Sequence, residues 1–218
     1  MKYLTVTKME KLYWLDAYQK ECDAQVTQVD ANKVYLDRTV AFAFSGGQES
    51  DTAFVNEVEL AELIAEGNET SHAFSDAPSL KEGDEVKVRI DWEKRDCIMR
   101  LHSAAHILHY FVLEAIGDQK PIGSNVTRDK ARVDYAYSES VGPLLPTIEE
   151  KVNAFNAAGH EIKTFDDPEK PGRRLWACDQ WLMPCGGTHV KNTSEIGALR
   201  LKRKNTGAGK ERVEVSLQ

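Results

Sequence analysis

No apolar run in this chain approaches the ~18 residues that a membrane-crossing helix needs. The first residues, MKYLTVTKMEKLYW, scatter charges where a secretory signal would carry an apolar core, so secretion is not expected. Cysteine is scarce. Its four occurrences (Cys22, Cys97, Cys178, Cys185) do not form a disulfide framework in a chain of 218 residues, which points to a reducing cytoplasm. Cys22, Cys97 and Cys178 read most simply as buried thiols. Low-complexity tracts are absent, and so is a basic excess: 28 Lys and Arg face 35 Asp and Glu, a net charge of −7. That balance opposes a surface that binds nucleic acid all over. The length allows one large domain or two small ones.

The charge is unevenly spread. Residues 1–94 carry 10 Lys/Arg and 19 Asp/Glu, whereas residues 95–218 carry 18 and 16. Within the second part, Leu199–Arg212 (LRLKRKNTGAGKER) holds six basic residues against Glu211 alone. Screening over ~8–10 Å lets such a strip act locally despite the overall sign. A solvated hairpin is the bland reading. We favour phosphate contact by Lys202, Arg203, Lys204 and Lys210, because Gly207 and Gly209 permit close approach of the backbone. Lys170, Arg173 and Arg174 are candidates to extend the patch, and Asp134 reads as structural.

The hydrophobic period changes once along the chain. Residues 33–40 (KVYLDRTV) alternate as a strand, with β-rich pieces around 24–29 and 53–60. Residues 86–92 (VKVRIDW) alternate again after the turn Glu82-Gly83-Asp84. Six short strands without a long helix predict a small β-barrel or sandwich over residues 1–92. From Glu93 to Ile116, Ile98, Leu101, Ala105, Leu108, Val112 and Ala115 fall on one helical stripe that Gly117 stops. The domain boundary is placed just before that helix. Residues 93–218 then read as strand 131–137, helix 146–158 ended by Gly159, strand 160–165, a charged loop 166–174 and a hairpin within 195–217 turning through 205–209. This is an α+β domain, an antiparallel sheet with helices.

Two pairs of ligand-type residues stand out in that domain: His102 and His106 in RLHSAAHILHYF, and Cys185 and His189 in MPCGGTHV. Each pair is four residues apart, and on a helix that spacing puts two imidazoles on one face. A thiolate with neutral imidazoles suits Zn²⁺ better than Mg²⁺ or Ca²⁺. The pairs are far apart in the chain, so a shared ion requires the domain to fold around it. His109 offers an alternative, since His106 and His109 also share a face, and the one left out is then a core or supporting histidine. Ser103 stands where a zinc peptidase of the HExxH type has its base, which removes that reading. Gly186-Gly187-Thr188 keeps backbone N–H groups near the thiol, where they stabilise negative charge. Four protein ligands close a zinc site, whereas three and a water make a catalytic one. Either His189 steps aside, or the ion expands its coordination, or the site is structural.

At these residues the chain resembles the alanyl-tRNA editing proteins of the AlaX type and the editing domains of alanyl- and threonyl-tRNA synthetases. The matching pieces are HSAAH (102–106), PIGSNVTRDKARVDY (121–135), MPCGGTHV (183–190) and NTGAGKERVEV (205–215), in the family's order across the whole second domain. The first domain resembles the extension of the longer AlaX form, with SGGQESD (45–51) in place of its glycine-rich loop. Where that loop continues to a glycine after the acidic residue, this chain has Thr52-Ala53.

The resemblance implies zinc-dependent trans-editing: hydrolysis of the ester joining serine, or glycine, to tRNA(Ala), bound by its acceptor end. A synthetase pocket built for alanine cannot exclude smaller glycine sterically and rejects an added hydroxyl poorly, so a second site must do so. Carried over by position, His102, His106, Cys185 and His189 are the zinc-site and catalytic residues. Thr127 and the strand 123–126 lie where the substrate pocket is built. Gly46, Gly47 and Gln48 repeat a tripeptide of peptide-release factors, a weak signal. Their distance in sequence from the metal ligands makes them a shaping turn near the acceptor end. The rival readings are a non-catalytic, zinc-stabilised tRNA-binding module and editing with a threonyl-tRNA preference.

Overall fold

The computed structural model describes residues 9–207 and 209–218. The first eight residues, part of the signal reading, and Ala208 in the C-terminal hairpin lie outside them. The chain divides into two compact units, one of residues up to Ser45 with Ser50–Arg95, the other of Gly46–Glu49 with Asp96–Gln218. Trp92–Arg95 therefore stay with the strands that precede them, and four residues of the glycine-rich loop group with the second unit.

The first unit contains β1 (Glu10–Lys11), the one-turn helix α1 (Leu12–Leu15), β2 (Glu21–Asp30), β3 (Lys33–Leu36), β4 (Arg38–Thr39), β5 (Ala53–Val55), β6 (Val58–Glu59), β7 (Glu62–Glu66), β8 (Glu69–Ala73) and β9 (Glu85–Ile90). Seven strands pair in the order β6-β5-β9-β2-β3-β8-β7, and β1 pairs separately and in parallel with β4. Alternation turns Cys22, Ala24 and Val26 of β2 and Val86, Val88 and Ile90 of β9 into one buried cluster. In place of the small closed barrel expected from sequence, these strands form a half-barrel sheet with β6 and β7 at its edges. Leu60 and Ala61, between those two strands, extend the ladder on each side: Leu60 N–H donates to Ala53 O of β5 (2.9 Å) and Ala61 N–H to Ala73 O of β8 (2.8 Å). Strands β7 and β8 have no clean alternation, and their buried members include Thr70, Ser71 and His72. The reason Arg95 stays with this unit is electrostatic. Its guanidinium is fully buried on Asp51 (Nε to Oδ1 2.9 Å) and also donates to Ala17 O and Val40 O.

Helix α2 (Trp92–Ile116) continues into the second unit, which adds β10 (Pro121–Val126), β11 (Ala131–Ala136), α3 (Leu145–Ala158), β12 (Ile162–Asp166), β13 (Arg174–Cys178), β14 (Trp181–Pro184), β15 (Leu199–Asn205) and β16 (Lys210–Leu217). Two antiparallel sheets form, β10-β11-β16-β15 and β12-β13-β14. The α+β class with antiparallel pairing is thus present. Helix α2 is more deeply set than one stripe implies: Ile98, Leu101, Ala105, Leu108 and Val112 are buried, but so are Met99, Ala104 and Ile107, while Ala115 is exposed. Helix α3 buries Leu145, Ile148, Val152 and Asn156 and ends at Gly159 in the left-handed conformation (φ 78°). It also satisfies the outer strand of the sheet. Asn153 bonds both the N–H (2.8 Å) and the carbonyl (3.0 Å) of Leu199, and Glu149 accepts from Leu201 N–H (2.7 Å). Among the described residues no helix is long and apolar enough to cross a membrane.

Candidate metal centre

His102 and His106 sit one turn apart on the buried stretch of α2, with ring centroids 4.8 Å apart. Cys185 and His189 share the spacing but not the helix, because residues 185–189 form the loop that follows β14. Cys185 N–H donates to Arg174 O (2.9 Å), extending the β13–β14 ladder by one residue and holding the thiol at the strand's end. The loop then turns back through Gly186-Gly187. The donor atoms of His102, His106, Cys185 and His189 all lie within 4.8 Å of one another. Cys185 Sγ is 3.2 Å from His189 Nε2 and 3.5 Å from His102 Nε2. His106 Nε2 is buried with no hydrogen-bond partner, which is the condition of an atom reserved for something else. His109 is not in the cluster; its Nδ1 lies 3.1 Å from the hydroxyl of buried Tyr135.

Burial sets the protonation states. It lowers His102 to about 4 and holds His106 and His189 well below the ordinary imidazole value, the neighbouring rings adding to the effect. All three rings are therefore neutral at pH 7 and have lone pairs to offer. Burial also pushes the Cys185 thiol up to about 11, opposed by the Gly187 N–H. A cation is what such a thiol lacks, since a metal exchanges for its proton. Three neutral imidazoles and a sulfur are a donor set that fits a soft or borderline metal ion.

Two uncharged side chains hold the rings. Ser103 Oγ donates to Met99 O (2.9 Å) and accepts from Val190 N–H (3.2 Å), with His189 Nδ1 3.3 Å away. A carbonyl only accepts, so the single hydroxyl hydrogen is committed there and His189 Nδ1 must be the donor. That leaves the lone pair on Nε2, the atom facing Cys185. Gln48 is the second. Its Oε1 lies 2.7 Å from His102 Nδ1 and 3.0 Å from Thr188 N, and its Nε2 donates to Thr188 Oγ1 (2.9 Å). Sequence distance sets Gln48 apart from the ligands, and the fold removes that distance. Trp176, fully buried, closes the site on another side with its ring 4.9 Å from that of His106.

Beside the cluster lies a pocket of about 290 Å³, lined by Gly46, His102, His106, His109, Ser124 and Met183 among others. Strand 123–126, expected near the substrate, supplies Ser124 and Val126. Thr127 lies outside this lining. Its hydroxyl donates to Lys130 O (2.9 Å) and shapes the β10–β11 turn. Gly47 accepts from Val126 N–H (2.8 Å) and Asn125 Nδ2 (3.0 Å). A Cβ on Gly47 would come 2.8 Å from Ser124 O at a φ of +85°, so this close approach requires glycine.

The basic strip divides in the fold. Lys202, Lys204 and Lys210 are exposed, as are Gly207 and Gly209 at the hairpin turn. Arg203 faces the other way and forks onto nearly buried Glu211 (Nε to Oε2 2.5 Å, Nη2 to Oε1 2.6 Å). Arg173 and Arg174 are likewise engaged by Asp167 and Asp166. Asp134 takes a two-bond contact from Arg212 (2.7 and 2.9 Å), as a structural carboxylate should. Sequence reasoning passed over Ser103, Thr188 and Gln48 as supports of the ligands. Two of them are chain neighbours of a ligand, which was the signal available.

The chain also has relatives among known proteins. Residues 174–214 match the family described as the threonyl and alanyl tRNA synthetase second additional domain. The chain is 34% identical over 218 residues to the alanyl-tRNA editing protein AlaX-M of Pyrococcus horikoshii, covering 98% of this chain and 100% of that one. It is 33% identical over 240 residues to the AlaX-M of Methanosarcina barkeri, covering 95% and 98%. An alanine–tRNA ligase of Methanococcus maripaludis is 29% identical over 237 residues, and there the chain spans 26% of the ligase's length.

Proposed function

From a chain that belongs to the alanyl-tRNA editing family of the AlaX type, with four ligand-type side chains converging beside a pocket, we propose a zinc-dependent deacylase that removes serine, or glycine, wrongly esterified to tRNA(Ala). The convergence of His102, His106, Cys185 and His189 is the observation that carries the reading. Tetrahedral zinc with Zn–S of about 2.3 Å and Zn–N of about 2.0–2.1 Å spaces sulfur and nitrogen about 3.5 Å apart. The two Cys185–imidazole separations, 3.2 and 3.5 Å, support that fit. Zinc bound there supplies a Lewis acid that polarises oxygen.

In this reading water attacks the ester carbonyl, the acyl–oxygen bond breaks, and a proton from that water passes to the departing ribose oxygen, which leaves as the hydroxyl. The chain's own residues hold the ester in place. Ser124, His109 and the backbone at Gly46 are polar groups at the pocket wall able to meet a seryl hydroxyl or amine, and Trp176 excludes water behind His106. The unit made of Gly46–Glu49 with Asp96–Gln218, which holds all four ligand-type residues, is the editing domain in this reading. Exposed Lys202, Lys204 and Lys210 contact phosphates of the acceptor end.

Deacylation of Ser-, Gly- and Ala-tRNA(Ala), with and without chelator, tests the proposal. Seryl ester should be released, alanyl ester spared, and chelator or His102→Ala should abolish turnover. Full activity in that variant rejects it. Four converging protein donors also favour a second reading, a closed zinc site that stabilises a tRNA-binding module without catalysis. That module binds tRNA but releases no amino acid, and it unfolds on chelation.

A further inference from the structure

Gln48 is fully buried, and every polar atom of its side chain meets the metal-site loop or helix α2. Which end of the amide points where follows from its neighbour. A backbone N–H only donates, so the atom 3.0 Å from Thr188 N is the oxygen, and the nitrogen is the atom donating to Thr188 Oγ1. The same oxygen stands 2.7 Å from His102 Nδ1. An acceptor at that place demands a proton on Nδ1. His102 Nε2 then keeps its lone pair, directed toward Cys185 Sγ 3.5 Å away.

The segment that delivers Gln48 is itself pinned. Val126 N–H donates to Gly47 O and Glu49 N–H donates to Val126 O (2.8 and 2.9 Å), a parallel bridge around Gln48. A Cβ on Gly187 would fall on the Gln48–His102 contact, 2.7 Å from His102 Nδ1, so the loop's second glycine is the space in which this bond lies.

We propose that Gln48 is a positioning residue of the metal centre, fixing the tautomer and ring orientation of His102 and so setting metal affinity. The glycine-rich tripeptide is then a clamp on a ligand, in place of a turn that meets RNA. This rests on the metal-centre reading above. Partners of this kind are worth roughly 10–100-fold in metal affinity.

The test uses the full chain and two measurements. Zn²⁺ affinity is read by competition with a chromogenic chelator for the wild type, Gln48→Met, which keeps the bulk without the acceptor, and Gln48→Glu, which keeps the acceptor. Two-bond ¹⁵N–¹H spectra of the imidazoles report the His102 tautomer in metal-free protein. Gln48→Met should bind Zn²⁺ roughly 10–100-fold more weakly and lose the single tautomer. Gln48→Glu should bind at least as tightly as wild type and keep it. Wild-type affinity in Gln48→Met overturns the inference, as does equal loss in Gln48→Glu. Should Gln48→Met fail to fold, the wild-type spectrum decides alone: His102 protonated on Nε2 rejects the assignment. Absence of Zn²⁺ binding by the wild type overturns the metal centre instead and leaves the tautomer measurement standing.

Discussion

Ser103→Ala isolates the other support of the cage. Ser103 is fully buried, and its hydroxyl serves Met99 O, Val190 N–H and His189 Nδ1. Met99 O keeps its helical partner when the hydroxyl is removed. The two N–H donors lose their acceptor in a site too enclosed for water to replace it. A buried donor left unpaired costs about 1–3 kcal/mol, so with two of them the metal-free protein should lose about 2–6 kcal/mol. At roughly 2–4 °C per kcal/mol for a chain of this size, the melting temperature falls by about 4–24 °C. Metal affinity should fall as well, by roughly 10–100-fold, because His189 no longer has its Nδ1 proton and ring plane fixed. Calorimetry of the metal-free protein and chelator competition read the two effects separately. A cycle with His189→Ala divides them further. In that background Ser103→Ala should still cost the Val190 share of stability but no further metal affinity. Unchanged melting and unchanged affinity in the single variant would refute the accounting for this hydroxyl.

Three other outcomes follow from the same geometry. Gly187→Ala places a methyl group against His102 Cε1 and Gln48 Oε1, so metal binding should weaken at least tenfold while far-UV circular dichroism stays the same; an unaltered affinity counts against the close approach. His72, fully buried between Thr39 Oγ1 (3.0 Å) and Val34 O (3.3 Å), is held by burial at about 4, below the ordinary 6.5. Between those values the unfolded chain takes up a proton that the folded one refuses. Stability is therefore whole above about 6.5 and declines as pH falls toward about 4, by up to about 3 kcal/mol from this group. Denaturant titrations from pH 7 to 4 should show a shallower acid decline in His72→Gln, and parallel declines would exclude the effect. For the hairpin, replacing Lys202, Lys204 and Lys210 together by Ala should weaken tRNA binding. Its dependence on log salt should flatten by about 0.7–0.9 for each phosphate that a lysine no longer neutralises. Arg203→Ala, whose guanidinium is taken up by Glu211, should lower the melting temperature and leave the salt slope alone. The opposite pattern would return Arg203 to the RNA side.

Much of this protein is legible in its sequence, and the reasons are local. Helix α2 and its stop at Gly117, helix α3 and its left-handed Gly159, and the β15–β16 hairpin each follow from contacts within a few residues, where period and capping act. The same holds for His102 and His106, whose spacing on a helix is enough to pair them. Strands β13 and β14 escape because RLWAC is buried almost throughout, leaving no alternation to read, and WLMP is too short to show one. What only tertiary structure decides is which distant groups meet. Arg203 and Lys202 are adjacent in one basic run, yet the pleat sends one to Glu211 and the other to solvent. Ser103 looks like a vacancy in a peptidase motif until Val190 and His189 come to rest on it. Gln48 acquires its place only when a β-bridge and a loop with no side chain at Gly187 bring it to His102, because a hydrogen bond is set by distance in space and leaves no period in the chain.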